Sequence, residues 1–274
     1  MRYLLILFFL ICASSSHLNA QLIKNNFFEG LVLDGYLEKG EYFSTNSGKD
    51  SLLSNQWNLS GDNNLKNGFN PIMGEPLFYE GYIESGKSLS FTQPKLTNGE
   101  SRASGYSLTN TNIYSKGTYY LAFMLNVKPS TSVTTLNPGI IMFDQSYLIQ
   151  DRKVGVSVAM EERGYSYKIG IVEDDAANGR TAYAHADRKL IFGKTYLLVL
   201  KYNFESGRAE LFIDPSLVVQ EPVSDVAITI NDKSAERLRE TGIQAITVRQ
   251  RTNHSEVFGG LRFATTWKAA IGKL

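Results

Sequence analysis

The stretch TAYAHAD, residues 181–187, places Tyr183 and His185 two residues apart. In an extended strand that spacing puts both side chains on one face, so an aromatic hydroxyl and an imidazole could serve one bound molecule. A half-exposed structural histidine fits the same spacing. The chain has three histidines; His17 falls in an apolar leader, leaving His185 and His254, which lack the close spacing of a zinc pair. No Ser-His-Asp arrangement and no phosphate-cradling glycine loop can be assembled. Cleavage of a glycosidic bond with retention needs two carboxyl groups about 5–5.5 Å apart. Acidic residues at i and i+2 or i+4 of one strand would supply them. Glu161-Glu162 instead falls in a turn, and Glu173-Asp174-Asp175 runs off a strand into a loop, so both read as solvated surface. Asp144, Asp174 and Asp175, with Glu173, are the candidate calcium ligands, although no complete ligand loop surrounds them. The sequence requires no cofactor, and calcium is the one metal it leaves open.

Glycan binding draws on aromatic faces and planar hydrogen-bonding groups. The chain has 15 tyrosines. Tyr79, Tyr82 and Tyr106 fall in segments read as loops, with Arg102 near Tyr106 in sequence. Together with Tyr183, His185 and Arg249 they are the candidate ligand-binding residues. The competing reading is that Tyr79 and Tyr82 pack a long loop onto the core and that Arg249 makes structural hydrogen bonds.

These residues must be positioned by strands. Period-two alternation dominates from residue 117 onward. In GTYYLAFMLNV, Tyr119, Leu121, Phe123, Leu125 and Val127 share one face, while the other is also fairly apolar, which predicts a strand covered on both sides. KVGVSVAM and GYSYKIGIVE predict a hairpin turning through residues 161–164, with Tyr165, Tyr167, Ile169 and Ile171 on one face. KTYLLVLKYNF and RAELFID predict a second hairpin through ESG, where Gly207 supplies a left-handed turn position. GIQAITVRQ and GGLRFAT complete the series. DKSAERLRET (232–241) could form two helical turns at the surface. Residues 55–86 read as long loops with short strands. All seven prolines lie at or beside loops. Many short strands with turn signals predict an all-β, two-sheet antiparallel sandwich of jelly-roll type with at most one or two short helices.

The N-terminus reads as a secretory leader: Arg2, then an apolar run over 3–13 too short to span a bilayer, then SSSHLNA. Cleavage after Ala20 would leave residues 21–274 as one sandwich domain, secreted, periplasmic or at the cell surface. It would also remove Cys12, the only cysteine, and with it any disulfide or thiol chemistry. Ile11 before Cys12 is larger than a lipoprotein signal prefers. The net charge of +1 becomes zero when Arg2 is lost. This balance argues against a nucleic-acid partner, and no second segment is apolar enough to cross a membrane as a helix.

Several landmarks recur in an order that resembles the LamG-like, concanavalin A-like jelly-roll domains of secreted bacterial proteins. They are Trp57, NGFNPIMGEPLFYEGYIESGKSLSF, TYYLAFMLNV, GKTYLLVLKYNFESGRAELFIDPSLVVQEP, IQAITVRQ and the terminal GGLRFATTW. The chain departs from the family in carrying Asp214 where Asn often precedes the proline, and Gly259-Gly260 where the last strand often begins with an acid. The resemblance implies that the final strand returns beside the first, that Leu261 and Phe263 face the core, and that Trp267 caps one end of a finished sandwich. The hydrolases of this fold typically carry Glu-x-Asp-x-x-Glu, and the lyases Gln-x-His beside a Tyr/Lys strand. Neither motif occurs, although YSYKIG faintly echoes the Tyr/Lys strand. The reading is therefore an exported, non-catalytic module that binds carbohydrate or another extracellular surface. A structural or adhesion protein contacting protein partners, and a divergent polysaccharide hydrolase or lyase, are the alternatives.

Overall fold

The computed structural model describes residues 21–25, 57–60, 72–82, 88–91, 103–129, 139–144, 152–161, 164–173, 180–230, 236, 239, 242–251 and 256–273. Among them are fifteen strands: β1 (Gln21–Asn25), β2 (Trp57–Ser60), β3 (Ile72–Gly74), β4 (Ser88–Phe91), β5 (Ala103–Tyr114), β6 (Thr118–Val127), β7 (Gly139–Asp144) and β8 (Arg152–Glu161). They continue as β9 (Gly164–Glu173), β10 (Arg180–His185), β11 (Thr195–Asn203), β12 (Arg208–Ile213), β13 (Val226–Thr229), β14 (Ile243–Arg251) and β15 (Glu256–Ala264). One turn of helix, α1 (Trp267–Ala270), follows β15.

The strands form two antiparallel sheets. The larger has the order β13-β12-β11-β6-β15-β4-β3, with β1 also paired to β15; the smaller runs β10-β9-β8-β7-β14-β5-β2. Alternation explains which residues meet between them. Leu121, Phe123 and Leu125 of β6, Leu198 and Leu200 of β11, and Ala209, Leu211 and Ile213 of β12 face Val154, Val156 and Val158 of β8 and Tyr165, Tyr167 and Ile169 of β9. Both hairpins form with the expected turns, Glu161 pairing with Gly164 and Asn203 with Arg208.

The final strand does return beside the first, with Lys24 opposite Arg262 and Asn25 opposite Leu261. Leu261 and Phe263 are buried in the inter-sheet core. This strand begins earlier than expected, at Glu256, so Gly259-Gly260 lies inside it. Phe258 and Leu261 both face the core although they are three positions apart, which strict alternation forbids. The register shifts between Gly259 and Arg262, and Gly260, at φ 58°, takes the left-handed conformation of a bulge that resets the phase.

Trp267 is buried, but not at an end of the sandwich. It starts α1, which lies on the outer face of the larger sheet against Tyr120, Phe212 and Ala264. Its ring centroid is 5.0 Å from that of Phe212, and Nε1 donates to the Val218 carbonyl at 2.9 Å. The apolar second face of β6 explains this placement: Tyr120, Ala122 and Met124 need a cover, and α1 with residues 77–82 supplies it. Of the expected helix over 232–241, only Glu236 and Arg239 are described, both helical and exposed.

Candidate functional site

The two sheets have different outer faces. That of the larger sheet is covered by the second apolar cluster. That of the smaller sheet carries polar and small residues, and its geometry follows from register. Directly opposed residues share a face, and the inner face is marked by Val154, Val156, Tyr167, Ile169 and Ile246. One row therefore crosses all seven strands on the outer face: Tyr183, Gly170, Gly155, Met142, Thr247, Ser107 and Asn58. A second row lies beside it. His185 pairs with Lys168 and Lys168 with Ser157; beyond β7, which is irregular between Gly139 and Ile141, Arg249 pairs with Gly105 and Gly105 with Ser60.

Adjacent strands are about 4.8 Å apart, so His185 and Arg249, four strands apart, bracket about 19 Å of sheet. Between them Gly155 and Gly170 have no side chains and Ser157 has a short one, with Met142 and Lys168 the larger residues at positions of the same face. Tyr183 and His185 are exposed, and Gly155 and Ser157 half-exposed. Nearer the Glu161–Gly164 pair, Ser166 of the same face is buried. The arrangement offers an aromatic ring at one edge, three positions of cationic or imidazole type, and hydroxyl and amide positions along the same face.

Three sequence candidates, Tyr183, His185 and Arg249, thus come to one face of one sheet. Position 144 shares that face through the pairing of Asp144 with Ala245. Asp174 and Asp175 lie outside the described residues, as does Arg102. Among the described residues no group of three or more His, Cys, Asp or Glu is placed to hold a metal ion. Tyr106 is in β5 rather than in a loop, and it pairs with Val248 two positions from the buried Ile246, which puts position 106 on the core-side face. Tyr79 and Tyr82 lie on the far side of the larger sheet. Tyr82 is buried and its hydroxyl donates to the Gly260 carbonyl at 2.7 Å, securing the bulge; Tyr79 donates to Asp214 Oδ1 at 2.8 Å. Burial, the hydrogen bond to Asp214 and its negative charge all raise the Tyr79 pKa above its ordinary value.

Sequence reasoning missed Lys168, Ser157, Gly155 and Gly170. A usable signal was present: once Tyr167 and Ile169 are assigned to the core face, position 168 falls on the other face by parity. A second polar group also escaped notice. Glu256, at the start of β15, is fully buried, and neither carboxylate oxygen has a hydrogen-bond partner among the described residues. Burial pushes its pKa up to about 8, so the carboxyl is protonated at neutral pH. On the outer face of the larger sheet, Lys201 Nζ donates to Glu221 at 2.6 Å and lies 2.9 Å from Glu210, while the Tyr120 hydroxyl also donates to Glu221. This network ties the 215–224 connection to β11.

No family model and no curated sequence relative matches the chain. Solved structures do. The endo-β-1,4-glucuronan lyase of the fungus Trichoderma reesei aligns at a TM-score of 0.52 and 11% identity, covering 92% of this chain and 98% of the lyase. The alginate lyase of Klebsiella pneumoniae aligns at 0.45 and 8% identity over 71% of this chain and 85% of the enzyme. That of Pseudomonas aeruginosa aligns at 0.44 and 12% identity over 65% and 83%. At such identities the likeness is one of fold, carried by the first of the three. The chain is a concanavalin-like jelly-roll β-sandwich, and nothing in these alignments singles out the LamG branch.

Proposed function

We propose that the protein binds an acidic polysaccharide along the outer face of its smaller sheet, as a non-catalytic module. The observation that carries this reading is the pair of in-register rows, which bring positions 183, 185, 168 and 249 to one face with Gly155, Gly170 and Ser157 among them. The small residues Gly155, Gly170 and Ser157 leave room on that face for a broad, flat chain. Cationic positions spaced across the sheet match a ligand with repeated carboxylates better than a neutral one. The fold shared with an enzyme named for glucuronan supports the polysaccharide assignment by analogy of fold alone.

The test is affinity electrophoresis of the mature protein in glucuronan, alginate and neutral glucans, with Arg249→Ala and Lys168→Ala compared. Retardation by an acidic polymer, weakened about tenfold in either variant and by added salt, is the expected result. Absence of retardation by every acidic polymer tried would refute the proposal.

A second reading is favoured by Tyr183 and His185 lying beside position 168: a proton-transfer pair next to a cation is what β-elimination from a uronate requires. Unsaturated product that disappears in both Tyr183→Phe and His185→Ala would establish this reading in place of the non-catalytic one. Export through residues 1–20 rests on the apolar run 3–13 and the small residues after it, and a single sandwich over 21–274 on the continuous strand signals. Kinship with LamG-like domains rests on the ordered landmarks from Trp57 to Trp267.

A further inference from the structure

A cleft of about 450 Å³ opens on the other side of the molecule, between residues 78–81 and 214–217. It lies outside the larger sheet, so it cannot belong to the face described above. Its lining includes Phe78, Glu80, Lys194, Thr195, Asp214 and Ser216. Phe78 is 79% exposed, the most exposed aromatic ring among the described residues.

The segment that carries Phe78 is held firmly. Its neighbour Tyr79 donates to Asp214 Oδ1, Tyr82 donates to the Gly260 carbonyl, and the Tyr82 amide donates to the Tyr79 carbonyl at 3.1 Å. Asp214 is anchored in turn. Its amide donates to the Leu197 carbonyl at 2.8 Å, and Arg188 Nη2 donates to Oδ2 at 3.0 Å, with Lys194 Nζ at 3.7 Å. Asp214 sits at φ 54°, a left-handed conformation that Asp and Asn tolerate better than other side chains. The backbone on both sides of the cleft is thus preorganised, and the aromatic ring it presents, Phe78, faces solvent beside the half-buried Leu217.

An aromatic face on a rigid mount beside hydroxyl and carboxylate groups is suited to the C–H face of a sugar ring. The charges select among sugars. Asp214 and Asp225 are together offset by Arg188 and Lys194, which leaves Glu80 to disfavour an acidic ring. We propose that this cleft is a second carbohydrate site, that it takes an uncharged sugar, and that Phe78 is its stacking platform. It does not depend on the acidic-polysaccharide reading.

The test is titration of the intact protein with cello-, manno- and xylo-oligosaccharides, followed by calorimetry, with an oligoglucuronate as comparison. Binding of at least one uncharged oligosaccharide is expected. Phe78→Ala should weaken it by about tenfold and Phe78→Trp should preserve it. Arg249→Ala should leave it unchanged, and because Phe78 is largely exposed the Ala variant should melt like the parent. Three results would overturn the proposal: no uncharged oligosaccharide bound at millimolar concentration, equal binding by Phe78→Ala and parent, or sedimentation showing that Phe78 is covered by a second copy of the chain.

Discussion

Replacing Glu256 with Gln should make the protein more stable at mildly alkaline pH. The carboxyl is buried without a hydrogen-bond partner among the described residues, and burial raises its pKa to about 8 in the folded chain from an ordinary 4.5. Below pH 4.5 both folded and unfolded chains hold the proton, and this group sets no pH dependence. Between 4.5 and 8 the unfolded chain releases the proton while the folded chain retains it, so folding must take one up. Stability then falls by about 1.4 kcal/mol for each pH step, or about 5 kcal/mol in all. Above 8 both states are ionised and no more is lost. Gln has nearly the same shape and no charge to lose, so its curve lacks this slope. Urea unfolding followed by tryptophan fluorescence at pH 5, 6.5 and 8.5 gives the comparison directly. The gap between variant and parent should widen by about 3–5 kcal/mol from pH 5 to 8.5, or about 6–20 °C in midpoint temperature. A gap that stays constant across this range, whatever its sign, would refute the argument, because it would mean that the buried carboxyl does not change protonation on folding.

The remaining predictions concern the second layer and the bulge. Trp267→Ala should cost about 3–5 kcal/mol, read from a thermal or urea melt, because it empties the space against Phe212 and leaves the Val218 carbonyl without its donor. Gly260→Ala should cost about 1–2 kcal/mol in the same assay, since a Cβ at φ 58° is strained, whereas a flat β15 would tolerate the change. Binding at the two outer faces should separate cleanly, with Lys168 and Arg249 governing acidic polymers and Phe78 governing uncharged ones.

How much of this was legible in the sequence differs from strand to strand. The alternation of β6, β8, β9, β11 and β12 was plain because each places large apolar residues at every second position. β5 was not, since ASGYSLTNTNIY is mostly polar; it is a strand because β14 and β2 pair with it on both sides. β7 was also missed, a six-residue strand whose short apolar run carries no period of its own. Tyr106 was misplaced for the first reason. Trp267 was misplaced because a buried aromatic can lie at the end of a sandwich or on top of a sheet, and its local sequence is compatible with both.

Covalent sequence alone determined the two-residue rhythm, the hairpin turns and the identity of the inward residues, because a side chain's face in a strand is set by its parity. It also determined that the second side of β6 needed covering. Only the tertiary structure decided which strands lie next to each other, and therefore that positions 183, 168 and 249, far apart in the chain, share one face. It alone also placed a bulge at Gly260 to restore the phase, and buried the Glu256 carboxyl. Those outcomes depend on hydrogen bonds between distant segments, and a strand's own residues specify which way its side chains point but not which strand will pair with it.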